Sequence, residues 1–108
     1  MEDPKISEKG FNGTIFQCID TALSTIGETS KLALYHQIAL KNGLSVNELQ
    51  SRPPKVLQGL EEILGETGYA FIEKLIIREI KDRFGLSVAV GVCLSKVVAD
   101  AREKFFSS

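Results

Sequence analysis

Tryptophan is absent from this 108-residue chain, histidine occurs once and cysteine twice. One histidine cannot build a zinc centre without further ligands, and none stands near His36 at metal-site spacing. Cys18 and Cys93 lie far apart in apolar surroundings, with no C-x-x-C pair or disulfide framework, so both are expected as buried, reduced thiols. No apolar run approaches the roughly 20 residues needed to cross a bilayer. The first residues carry charges, Pro4, Gly10 and Gly13 in place of the apolar core of a signal peptide. These absences lead us to expect a soluble, cytoplasmic protein with no membrane partner. An excess of one charge is missing too: 13 basic side chains face 14 acidic ones, for a formal net charge of -1. No overall field therefore draws nucleic acid, which is not the expected partner, and such binding would need a local patch.

What the chain does have is the composition of one globular domain. Apolar residues make up 44% and charged residues 25%, and a chain of this size buries roughly two thirds of its unfolded surface in one core. Apolar residues recur at a period near 3.6 between glycine, serine and proline punctuation. The spacing predicts helices over 14–26, 30–42, 45–51, 53–64, 68–84 and 88–106. Gly27, Gly43, Gly65 and Gly85 act as stops, Ser45 with Glu48 as a capping box, and Pro53-Pro54 as a helix start. The fold class is thus all-α, a compact bundle of five to six helices, with residues 14–108 as a single helical domain behind a flexible segment 1–13. The stretch from Val88 alternates like a strand, but nothing else in the chain reads as β to pair with it. Gly43-Leu44-Ser45-Val46 and Gly85-Leu86-Ser87-Val88 are two solutions to one capping problem, fewer copies than a repeat protein needs.

Catalytic chemistry finds little support in this inventory. His36 with a cysteine is a nucleophile pair only if folding joins them, and thiols in apolar helices are normally inert. Glu61, Glu62, Glu66 and Glu73 read as a solvated acidic rim, and Gly65-Glu66-Thr67-Gly68 lacks the lysine and the spacing of a phosphate loop. We expect no catalytic residue, no cofactor and no metal ion. Two features suggest contact with another molecule instead. Lys74, Arg78 and Lys81 form one basic stripe opposite Ile72, Ile76 and Ile80, although Glu73, Glu79 and Asp82 flank it and could pair it away. The C-terminal helix is apolar nearly all round from Val88 through Val90, Val92 and Leu94, continues with Val97 and Val98, and is apolar again at Phe105-Phe106. A helix of that kind is either central or covered by a partner, most simply a second copy in a homodimer.

Two segments resemble known families. Leu34-Tyr35-His36-Gln37-Ile38 followed by Asn42 to Leu49 looks like the opening helices of a winged helix-turn-helix, whose next helix reads DNA. Here that helix would offer Lys55, Gln58, Glu61 and Glu62, a poor set for phosphates, and no β-hairpin wing follows. The second resemblance covers roughly 23–86. Gly27-Glu28, Lys31, Ala33-Leu34-Tyr35, Gly43-Leu44, Pro53-Pro54, Ile63-Leu64-Gly65-Glu66 and Ala70-Phe71-Ile72-Glu73-Lys74 resemble the archaeal Nitrosopumilus output domain. What that resemblance implies is a compact helical module, alone or beside signal-sensing domains, with no established chemistry. The expected function is a non-enzymatic regulatory or signal-output module that binds a protein partner. A DNA-binding regulator is the alternative, and a small enzyme comes third.

Overall fold

Proline and glycine place the element boundaries, and the order of elements follows from them. The computed structural model describes residues 4–87 and 91–107. Helix α1 runs Pro4–Ser24, α2 Glu28–Lys41, a 3-10 turn Asn47–Ser51, α3 Pro53–Phe84 and α4 Leu94–Ser107. No strand occurs among the described residues. Among the described residues the fold is all-helical, as the periodicity predicts, but with four α-helices, the third kinked at Gly65, in place of five to six.

Each difference in the count has a local cause. The expected helices 53–64 and 68–84 run end to end as the two arms of α3, with the helical backbone broken where Gly65 takes the non-helical φ 75 and ψ 178. Without a Cβ it holds that positive φ at little steric cost and turns the chain between the two arms. The expected third helix is a single 3-10 turn. Only half of its capping box forms: the Glu48 N–H donates to Ser45 Oγ at 3.3 Å. Residues 4–13, expected as a flexible lead-in, belong to α1. Pro4 suits a first helical turn, and Phe11 is 2% exposed, its ring 6.1 Å from Phe84 and 5.5 Å from Phe105. The last helix begins at Leu94, later than expected, with Val92 and Cys93 outside it. Val88 and Val90, two residues behind the homodimer expectation, lie outside the described residues.

The bent α3 is the centre of the packing. Val56 and Leu60 before the bend, and Ile72, Ile76 and Ile80 after it, are buried against Ile15, Ile19 and Leu23 of α1, Ile38 of α2, and Val97 and Ala101 of α4. Gly59 is placed so that an added Cβ would lie 2.7 Å from Ile38 Cγ1, so α2 crosses directly on α3 backbone. Helix α4 is not apolar all round once it starts at Leu94. Leu94, Val97 and Ala101 face the core, Val92, Val98 and Phe105 pack partly buried against it, and Ser95, Lys96, Arg102 and Glu103 face out. Of the described residues behind the homodimer expectation, Leu94 and Val97 are buried and Val92, Val98 and Phe105 half-buried within the chain, while Phe106 is 44% exposed.

Candidate interaction surfaces on helix α3

At 100° per residue, the side of α3 opposite Ile72, Ile76 and Ile80 carries Phe71, Lys74 and Arg78, with Lys81 at its edge. Phe71 is 59% exposed, one of five large apolar side chains exposed among the described residues. Lys74 and Arg78 are exposed and Lys81 is half-buried. None of the three cations joins an ion pair or side-chain hydrogen bond among the described residues. The self-paired face that the sequence allows does not form. Of the acids that flank the stripe in sequence, Glu73 turns into a cleft on the other side of the helix and Glu79 acts on buried Cys18, which leaves Asp82.

That cleft lies on the inner side of the α3 bend, against the first turns of α4. Its volume is about 560 Å³, with Leu57, Leu94 and Val98 as apolar floor, Tyr69 in the wall, and Glu61 and Glu73 at the rim. Burial first, then the charges of Glu73 and Glu61, push the Tyr69 hydroxyl up to about 12. Both carboxylates therefore act on one point of the wall, although the bend separates them in sequence. The sequence pattern placed these acids on a solvated rim, because the fold-back across Gly65 is invisible to helical spacing.

Two further clusters are built for structure. Lys31 is 7% exposed, and its amine donates to Glu28 at 3.0 Å, Ser24 at 3.1 Å and Asp20 at 3.2 Å, while the Tyr35 hydroxyl donates to Asp20 at 2.9 Å. The bond to Glu28 leads the causes that raise the Lys31 pKa, so the amine stays charged and is no nucleophile. Glu28, Lys31 and Tyr35, which carry part of the output-domain resemblance, thus meet in one network joining α2 to α1. At the other end Phe11, Phe84, Phe105 and Phe106 stack ring on ring. The Arg102 guanidinium lies 4.9 Å from the Phe11 centroid and donates to Glu8 at 2.7 Å, which ties α4 to α1. Phe105, expected at an interface, spends its ring on this intramolecular cluster.

The residues considered for catalysis are not brought together. His36 is exposed and makes no hydrogen bond or ion pair among the described residues. Cys18 is 1% exposed, and burial pushes its thiol up to about 11. Cys93 is exposed, contrary to expectation, because it precedes α4 instead of lying inside a helix. No group of three His, Cys, Asp or Glu among the described residues could hold a metal ion. None of the described helices is long and apolar enough to cross a membrane. No family model, curated protein or solved structure matches this chain.

Proposed function

We propose that the protein is a non-enzymatic regulatory or signal-output module that binds an acidic, partly apolar segment of a protein partner through the outer face of α3. The observation that carries this reading is the exposed Phe71 beside Lys74, Arg78 and Lys81, three cations without a partner among the described residues. An exposed aromatic flanked by cations suits a surface with apolar anchors and carboxylates, since the ring supplies buried area and the charges set orientation. The resemblance to the archaeal output domain agrees with a role of this kind.

Duplex DNA is a weaker fit for the same face. Three cations and Asp82 along about 12 Å of helix offer few of the roughly six to ten phosphate contacts that give DNA-binding proteins their affinity and steep salt dependence. The helix-turn-helix alternative would use the first arm of α3, where Glu62 is held by Lys41.

Anisotropy titration with a labelled helical peptide carrying Leu at i, i+3, i+4 and i+7 and Glu between them tests the proposal, with duplex DNA and anionic vesicles titrated in parallel. The expected result is salt-sensitive peptide binding, weakened about tenfold or more, 1.4 kcal/mol, in Lys74→Glu/Arg78→Glu and reduced in Phe71→Ala. Tighter binding to DNA or vesicles than to the peptide, or peptide binding indifferent to these substitutions, would overturn it.

A further inference from the structure

The apolar cleft on the inner side of the α3 bend has an acidic rim, and its chemistry is opposite to that of the outer face. We propose that this cleft holds one cationic amphipathic helical segment of a protein partner, with apolar side chains on Leu57, Leu94 and Val98 and lysine or arginine against Glu61 and Glu73. The site lies across α3 from the surface behind the proposed function and stands independently of it.

Three observations select this occupant. Glu61 and Glu73 have no ion-pair partner among the described residues, so the rim is an uncompensated negative field. Tyr69 lines the same cleft and feels both carboxylates, and burial with their charges keeps its hydroxyl protonated as a donor. The apolar lining comes from three places: Leu57 before the bend, Tyr69 after it, and Leu94 and Val98 from α4. A groove assembled in this way accepts the i, i+3/i+4, i+7 anchors of a helix, and long cationic side chains can lay their methylenes along apolar surface with the charge at the rim. A second copy of this chain is the competing occupant, because its own α3 outer face is cationic. That face presents one well-exposed apolar side chain, Phe71, against a floor that spaces several, so a separate segment with repeated anchors fits better.

The test uses the full chain and a labelled helical Leu/Lys peptide of about four turns, followed by anisotropy, with the sedimentation of the protein alone measured alongside. We expect saturable one-to-one binding, weakened about tenfold in Glu61→Gln/Glu73→Gln. Binding should be unchanged in Glu48→Gln/Glu103→Gln, which removes the same charge elsewhere, and in Lys74→Gln/Arg78→Gln on the outer face. Thermal melts of the variants separate lost binding from lost folding, and Val98→Glu, which blocks the floor, provides a second route to the same loss. Absence of binding, or equal weakening by both glutamate pairs, would overturn the proposal. So would self-association of the unmodified protein that Glu61→Gln/Glu73→Gln abolishes, which would seat a second copy in the cleft.

Discussion

The two cysteines differ in ways their neighbours in sequence do not announce. Apolar residues stand beside both, Phe16 and Ile19 near Cys18 and Val92 and Leu94 at Cys93, but Cys18 is sealed in the core and Cys93 faces solvent just before α4. Native protein should therefore expose one thiol to a thiol-reactive dye and denatured protein two; two fast equivalents in the native state would contradict the burial of Cys18. A pH dependence follows as well. Burial raises the Cys18 pKa from 9.0 to about 11, with Arg83 opposing and Glu79 adding to the shift. A folded-state pKa above the unfolded value means stability that is complete below about pH 9 and is lost progressively as pH rises toward 11. Between about pH 8 and pH 10 the wild type should lose on the order of 1 kcal/mol more than Cys18→Ala in urea melts. Parallel curves would remove the buried thiol as the cause.

At the scale of elements, the punctuation that the sequence displays openly is only part of what sets the helices. Gly43 and Gly85 are legible as stops, and both hold φ 65, with the Leu44 N–H on Ala39 and the Leu86 N–H on Lys81 closing the caps. Gly85→Val should cost roughly 1–2 kcal/mol, since a branched side chain disfavours that backbone conformation. Gly59 was not legible. Nothing in the periodicity of 53–64 separates it from any other small residue on a helix, and its role appears only where α2 crosses. A methyl there would meet Ile38, which is fully buried and has no room to yield. Gly59→Ala should thus destabilise by about 1–3 kcal/mol, although alanine is the better helix former. A melt equal to or above that of the wild type would mean that α2 and α3 are farther apart. Gly65 is legible as a stop too: its positive φ breaks the helical backbone there, and only the turn of one arm against the other is hidden from the pattern.

Over the whole molecule, a net charge of -1 conceals a separation of charge across α3. Composition sees a balance. Folding turns Lys74 and Arg78 outward, Glu73 into the cleft and Glu79 toward Cys18, so one helix shows opposite signs on opposite sides. The basic stripe could be read from spacing alone because it uses one straight arm of one helix. The cleft could not, since it depends on the bend at Gly65 and on where α4 begins. The start of the C-terminal helix differs from the expected 88 for a related reason: α4 begins at Leu94, and from there its apolar side packs on its own chain. The central claim is that the outer face of α3 is the partner-binding surface. Its most direct test is an amide chemical-shift map of the labelled protein as the acidic Leu/Glu peptide is added. The account predicts saturable shifts centred on Phe71, Lys74, Arg78 and Lys81. Shifts confined to α1, α2 or α4, or none at saturating peptide, would contradict it.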